Sequence, residues 1–178
     1  MRSDEDLMLA VGEGDLKAFE ELVHRHQVWA WGVAYRFLGH RQESEDVVQD
    51  AFLRLLEAAS RYRPTSTLKT YLYQIITRLC LDRARKKQPR YLDVVPEAPA
   101  STLDASGAME KAQQADAVRA ALDALAPPQR MAVLLRYYEN LSYQEIASAL
   151  ETTPKAVERL LARGRDRLQA ILRTSEDL

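Results

Sequence analysis

Apolar residues recur at helical spacing along most of the chain of 178 residues. Four such stretches fill the first ninety residues, and the pattern predicts helices over roughly 4–11, 15–38, 43–61 and 67–87. The periodicity is lost after Gln88 and returns near Met109, so the chain divides into two helical parts.

The stretch between the two parts is rich in Pro, Ala and Ser, a composition typical of an extended connection. We therefore predict an all-α protein with two small helical domains joined by an extended linker. The first domain covers residues 1–90, the flexible linker 91–110 and the second domain 111–178.

Two adjacent helix starts are marked in the second domain. Ser142 and Glu145 have the spacing of a capping box, in which each residue satisfies a backbone amide of the other. Thr153 then precedes Pro154, which is the order of an N-cap and a first helical residue. Two short helices joined by a tight turn predict a helix-turn-helix.

The second of these helices is amphipathic, with one apolar stripe for its own core: Val157, Leu160, Leu161, Gly164 and Leu168. Its opposite side carries Lys155 and Arg159, flanked by Glu158 and Arg163. Such a polar face can enter a DNA major groove, where Arg and Lys contact guanine edges or phosphates. The alternative is a three-helix domain with a solvated outer face.

Charge is segregated along the chain, although the formal net charge is only −1. Residues 1–60 hold 6 basic and 12 acidic side chains, whereas residues 61–90 hold 9 basic and a single acidic one. Residues 152–173 add 6 basic against 2 acidic side chains. Two basic zones suggest two contacts with a polyanion, although basic residues can also simply solvate helix faces.

The basic zone around residues 67–87 has a core stripe at one face and Gln74, Arg78 and Arg85 on the other. Tyr71 and Tyr73 flank that face, which suits unstacked bases held by stacking and by cations. The alternative is that both tyrosines are boundary packing residues.

The preceding helix has an acidic outer face in which Leu53 stands among Asp46, Gln49 and Asp50. An acidic face with an exposed leucine indicates a docking surface for a basic partner, the alternative being a solvated face.

Several function classes find no support in the sequence. His24 and His26 lie on nearly opposite faces of a helix, so we expect no metal site, and no phosphate loop, nucleophile elbow or catalytic constellation is visible. We therefore expect no enzyme, cofactor or metal. Cys80 is a single cysteine, no apolar run is long enough to span a membrane, and the acidic N-terminus is unlike a signal peptide. We expect a cytoplasmic protein.

Together these segments resemble the extracytoplasmic-function (ECF) group of bacterial sigma factors over nearly the whole chain. The likeness rests on "GDLKAFEELVHRH", "SEDVVQDAFLRLLE", "TLKTYLYQIITRLCLDRARKK" and "ALDALAPPQRMAVLLRYYENLSYQEIASALETTPKAVERLLARGRDRL", in that order and spacing. The resemblance implies a sigma region 2 helical bundle, a linker and a sigma region 4 helix-turn-helix. It implies an alternative sigma factor that binds core RNA polymerase and directs promoter recognition and transcription initiation.

The resemblance also implies roles for particular residues. Docking on the coiled coil of the polymerase β′ subunit falls to Asp46, Gln49, Asp50 and Leu53. Contact with the non-template strand of the minus-ten element falls to Lys69, Tyr71, Tyr73, Arg78, Asp82, Arg83, Arg85, Lys86 and Lys87. Contact with the minus-thirty-five duplex falls to Lys155, Ala156, Glu158, Arg159 and Arg163. The second domain would also hold the β flap, and an anti-sigma factor would be a further partner.

The sequence departs from the family pattern at some of these positions. Tyr71 stands where a tryptophan is usual, Arg78 where an asparagine is usual, and Glu158 where a base is usual. Glu158 can accept from a cytosine amino group, so these departures are consistent with a different promoter. Two competing hypotheses stay open from the sequence: a free-standing helix-turn-helix regulator that dimerises on paired half-sites, and an interaction module that binds no DNA.

Overall fold

The computed structural model describes residues 2–87 and 106–176. These residues form eight α-helices and no strand, which confirms the predicted all-α class. The first domain contains α1 (Asp4–Gly12), α2 (Leu16–Leu38), α3 (Arg41–Ala58), a short 3-10 turn (Ala59–Arg61) and α4 (Leu68–Lys87). The second contains α5 (Ser106–Asp123), α6 (Pro127–Tyr137), α7 (Tyr143–Ala149) and α8 (Pro154–Glu176). Most of the predicted linker lies outside the described residues, and α5 begins within the predicted range 91–110.

Helix ends follow local capping chemistry. Ser3 forms a capping box with Asp6 at the start of α1, and the Asp15 carboxylate accepts from the first amides of α2. Accepting these backbone hydrogen bonds lowers the pKa of Asp15. Gly39 ends α2 at a φ of 68°, in the left-handed region that favours glycine.

The core of the first domain is formed by one face of each of its helices. Leu7, Leu22, Leu55, Leu72 and Ile76 are fully buried there. The predicted stripe of α4 is confirmed, and on α3 Val47 is the fully buried valine while Val48 stays partly exposed.

The start of α4 is held by α1, because the Glu5 Oε1 accepts from the Leu68 backbone amide at 3.0 Å. Thr67 caps the same end locally, since its hydroxyl accepts from the Thr70 amide at 3.2 Å. A local cap and a carboxylate from the first helix of the domain together satisfy the first amides of the basic helix.

The second domain packs α6 and α7 against α8. Met131, Leu135, Ile146, Val157 and Leu161 fill its centre and are buried, which agrees with the stripe predicted for the last helix. Gly164 is buried where α8 crosses α6, and a Cβ built there would lie 3.0 Å from Val133 Cγ2. The two helices approach that closely because position 164 lacks a methyl group.

The two domains contact each other, mainly through α4 against α7 and through α2 against α6. The sequence predicted two domains on a tether and gave no sign of this interface. Aromatic–cation contacts border it: Arg130 lies over the Phe37 ring at 4.6 Å, and Arg119 over the Tyr35 ring at 5.2 Å. Within the described ranges no helix is long and apolar enough to cross a membrane.

Candidate nucleic-acid interface

The basic face of α8 is open to solvent. Thr153 caps the helix through its hydroxyl, which accepts from the Ala156 amide at 3.2 Å. Lys155, Glu158, Arg159 and Arg163 are all exposed, and Ala156 is half-buried. Because the opposite side of α8 is buried against α6 and α7, the domain presents this polar row outward. The arrangement fits a helix that enters a major groove.

A short and well-capped helix braces α8 from behind. The predicted capping box of α7 is confirmed, with Glu145 N to Ser142 Oγ at 3.2 Å and Ser142 N to Glu145 Oε2 at 2.7 Å. The hydrogen bond from the Ser142 amide lowers the pKa of Glu145, so this carboxylate stays ionised at neutral pH. The geometry is that of a helix-turn-helix.

The first half of α4 is only partly open to solvent, because Lys69 is exposed while its aromatic neighbours are packed. Tyr73 is only 3% exposed and makes an edge contact with the Trp29 ring, at 4.6 Å between centroids. Lys69 Nζ lies 5.1 Å from the Trp29 ring centre and 5.9 Å from that of Tyr73. Tyr71 is half-buried beside Tyr62. The two tyrosines predicted to flank a strand-binding face are therefore packed, and Tyr73 is covered.

The middle of α4 is covered by the second domain. Gln74 Nε2 donates to Ser148 Oγ of α7 at 2.7 Å. Arg78, which stays well exposed, lies 3.8 Å from the Glu151 carboxylate in the turn before α8. The second domain thus lies on the face that the sequence assigns to the minus-ten strand.

The C-terminal part of α4 contacts the acidic helix α3. Arg83 bridges two carboxylates, with 3.7 Å to Asp46 and 3.3 Å to Asp50. Lys87 Nζ lies 2.6 Å from Glu43 Oε2. Residues predicted to bind DNA and residues predicted to bind a protein therefore pair with each other in the free chain.

Two further members of the predicted DNA-binding set pair within α4. Arg85 donates to Asp82 at 3.0 Å, one helical turn away. Lys86 is exposed.

An apolar groove runs beside the acidic residues, between α2 and α3. We call Asp46, Gln49, Asp50 and Leu53 the acidic surface, and its Gln49 and Leu53 line this α2–α3 groove. Leu53 is 50% exposed and Val28, across the groove on α2, is 78% exposed. The other apolar lining residues are Phe19, Val23, Trp31, Val48 and Phe52. The sequence missed the contribution of α2, because apolar residues at helical spacing there fit a core stripe equally well.

Cys80 lies at the centre of the first domain and is fully buried. Burial raises the pKa of its thiol to about 12, so the thiol stays protonated and unreactive at physiological pH.

Both parts of the chain match known family models. Residues 22–90 match Sigma-70 region 2, and residues 115–168 match Sigma-70, region 4. The RNA polymerase sigma-H factor of Pseudomonas aeruginosa is 30% identical, over 95% of this chain and 93% of that protein. The ECF sigma factor SigE of Mycolicibacterium smegmatis is 32% identical over 88% of this chain, and the match spans 62% of the SigE length.

The fold also matches solved structures. CnrH, solved in complex with the cytosolic domain of CnrY, superposes with a TM-score of 0.72 and 25% identity. The match covers 97% of this chain and 99% of CnrH. RpoE of Bartonella quintana, solved with the anti-sigma factor NepR, superposes with a TM-score of 0.65 over 88% of this chain.

The chain belongs to the ECF sigma factors of the sigma-70 family, the specificity subunits that bind core RNA polymerase and direct promoter recognition. Members of this family are specificity subunits and not enzymes. The family also accounts for two basic faces in a nearly neutral chain.

Proposed function

We propose that this chain docks on core RNA polymerase through the acidic surface and the α2–α3 groove beside it. The exposed Leu53 lies at the border of the two, so one partner helix can contact the carboxylates and fill the groove together. Acidic residues around an apolar groove favour a basic amphipathic helix, which fits the coiled coil of the β′ subunit.

We propose that α8 reads the minus-thirty-five duplex and α4 the minus-ten strand. The observation that carries this proposal is the exposed row of Lys155, Arg159 and Arg163 on a helix whose other face is buried. On α4, Lys69, Arg78 and Lys86 supply cations for the backbone, and the half-buried Tyr71 supplies a ring for bases. Tyr73 can add its ring only after the second domain moves away from it.

We further infer that the second domain holds the polymerase β flap through a groove between α5, α6 and α8. Val118, Leu122, Tyr137, Leu168 and Leu172 line it, and several of them are exposed. An anti-sigma factor is a further proposed partner, because RpoE was solved with the anti-sigma factor NepR and CnrH with the cytosolic domain of CnrY. We propose that this chain itself acts in the cytoplasm, as a non-catalytic subunit of the polymerase.

The direct test of polymerase docking is co-elution with purified bacterial core RNA polymerase on size exclusion. The variant Leu53→Asp places a charge in the groove without breaking any ion pair, and we expect it to weaken binding by roughly tenfold or more. The control is Leu16→Asp, the same change at an exposed leucine outside the groove. Equal retention by both variants would refute docking at the groove.

Charge reversal at the acidic surface tests the carboxylates separately. Asp46→Lys with Asp50→Lys should abolish co-elution, but it also removes both partners of Arg83. Arg83→Ala breaks the same pairs and leaves the carboxylates in place, so it should still co-elute. If the double charge reversal and Arg83→Ala both abolish co-elution, polymerase binding depends on the ion pairs of Arg83 and not on the carboxylates themselves.

The free-standing regulator is the competing function, and the family matches over both domains do not favour it. Such regulators bind as dimers on paired half-sites. A dimer of the free protein on an isolated palindromic duplex, in the absence of polymerase, would restore that hypothesis.

A further inference from the structure

One carboxylate makes three hydrogen bonds between the two domains, that of Glu139 in the turn after α6. Its Oε2 accepts from Trp29 Nε1 at 2.9 Å and from the Tyr73 hydroxyl at 2.8 Å. Its Oε1 lies 2.8 Å from Arg36 Nη1. All three donors belong to α2 and α4 of the first domain, while Glu139 belongs to the second.

The surroundings of Glu139 make this contact strong for an interface between domains. Its side chain is only 10% exposed, so the carboxylate is largely removed from water and depends on these donors. Burial and the neighbouring carboxylate together raise the pKa of Tyr73, so its hydroxyl keeps the proton that it donates. Losing the carboxylate charge would weaken three hydrogen bonds at once, because one charged group accepts from all three donors.

Two more carboxylates of the second domain lie along α4. Glu151 lies 3.8 Å from Arg78, and Glu145 interacts electrostatically with Lys69 and Tyr73. Three negative groups thus face Lys69, Tyr73 and Arg78 along α4. That side of α4 is the one assigned above to the phosphates and bases of the minus-ten strand.

We propose that Glu139 is an intramolecular latch that holds the second domain closed over α4, and that Glu139, Glu145 and Glu151 stand there in place of strand phosphates. The closed chain then excludes single-stranded DNA from α4 until the latch opens. Closure itself does not depend on the function of α4, whereas the competition with DNA rests on the proposed function.

The geometry explains why such a latch can open. The remaining contacts between the domains include polar and aromatic–cation pairs, such as Gln74 with Ser148 and Arg36 over the Tyr138 ring at 5.4 Å, beside buried apolar residues of both domains that form one continuous cluster. Interfaces of this kind between domains of one chain resemble transient protein interfaces. A polyanion competes for the same donors and cations, so DNA and closure are mutually exclusive on α4.

Small-angle X-ray scattering of the free full-length chain tests the latch. Glu139→Gln keeps the side-chain shape but removes its charge, and Glu139→Lys places a cation beside Arg36. We expect the radius of gyration to rise in both variants, more in the second. The control is Glu20→Gln, the same substitution at an exposed position of α2, which should match the wild-type chain.

Loss of folding can be separated from opening. The hydrogen bonds of the Glu139 side chain go only to the first domain, so helix content by circular dichroism should be unchanged in both variants. An unchanged radius of gyration in both folded variants would overturn the latch.

Binding of a fluorescent oligothymidylate, measured by anisotropy, tests the competition. Glu139→Gln should bind this single-stranded probe roughly fivefold more tightly than the wild-type chain, the lower end of typical coupling between sites. Glu20→Gln should show no comparable gain, because Glu20 lies on α2 and outside both helices proposed to bind DNA. A larger radius of gyration without tighter oligothymidylate binding would support the latch and overturn the strand-binding role of α4. Failure of the latch and failure of the proposed function therefore give different results.

Discussion

The two basic helices, α4 and α8, differ in how far their charges are already used. On α8, Lys155, Arg159 and Arg163 are exposed, and none of them forms an ion pair within the part of the chain that the structure describes. On α4, Arg78 faces Glu151 and Arg83 bridges Asp46 and Asp50. The basic side chains of α8 are thus free to contact DNA, whereas several of those on α4 are already paired with carboxylates.

This difference teaches that net basic charge does not measure access to DNA. The α8 face can meet a duplex without any rearrangement, because its own domain buries only the opposite stripe. The α4 face has to exchange internal carboxylates for phosphates first. We infer an order in which α8 is competent at once and α4 becomes competent only after the domains separate.

The largest expected effect concerns α8. Arg159→Ala with Arg163→Ala should lower transcription by a reconstituted holoenzyme at least about 30-fold, because each of the two lost contacts to a base or phosphate is worth about 1–3 kcal/mol. The template is a promoter recovered from genomic fragments. Arg173→Ala, an exposed arginine at the far end of the same helix, is the control. An altered radius of gyration in the double variant would contradict the contrast between the two helices, because it would mean that these α8 side chains also hold the two domains together.

A chain cross-linked in the closed form tests the same contrast between α4 and α8 by preventing the domains from separating. Gln74→Cys with Ser148→Cys replaces two side chains that touch at 2.7 Å, and a short, reductant-cleavable thiol cross-linker should join them. The buried thiol of Cys80 should not react. We expect the locked chain to lose oligothymidylate binding about tenfold, to keep duplex binding through α8, and to recover on reduction. Equal loss of both activities would contradict the assignment of two independent faces.

High pH should open the chain through Tyr73. Its pKa is raised above the ordinary value of 10.0, so the protonated phenol stabilises the closed form below that pH. The contribution is lost as the pH rises beyond about 10, where the hydroxyl ionises once it is released. Glu139, Glu145 and Lys69 are the charged groups around this ring.

Scattering measured across this alkaline range checks the expectation. The wild-type chain should expand, whereas Tyr73→Phe should show a weaker dependence on pH. The same slope in both chains would assign the expansion to other groups, such as Tyr62, whose pKa burial also raises.

The smallest effect is expected at Arg83. Its two ion pairs join partly exposed side chains, and such pairs contribute at most about 1 kcal/mol. Arg83→Ala should therefore lower the melting temperature by only about 2–4 °C, measured by circular dichroism. A larger loss would show that the α3–α4 pairs stabilise the fold, and that α4 is less free to exchange partners than proposed.

Local signals in the sequence predicted the helices well. Ser142, Glu145 and Thr153 cap the helices that they were expected to cap, because capping acts over three or four residues. The stripe of α8 was predicted for the same reason: helical spacing decides which residues share a face.

Contacts between distant parts of the chain could not be predicted in this way. Glu139 is a single polar residue in a turn, and its partners Trp29 and Tyr73 lie 110 and 66 positions away. Nothing local distinguishes it from a solvated glutamate. Glu5 at the start of α4 is a similar case, since its partner amide is 63 residues distant. The pairing of Arg83 with the acidic surface likewise depends on how α3 and α4 cross.

The close crossing at Gly164 has a consequence for anyone who wishes to retarget this protein. The tilt at which α8 is presented depends on a missing methyl group, since a side chain there would meet Val133. The outward row of α8 can be randomised to seek new DNA sequences, because those side chains are exposed. Position 164 should stay fixed in any such library, since a larger residue would re-aim every other side chain of the helix at once.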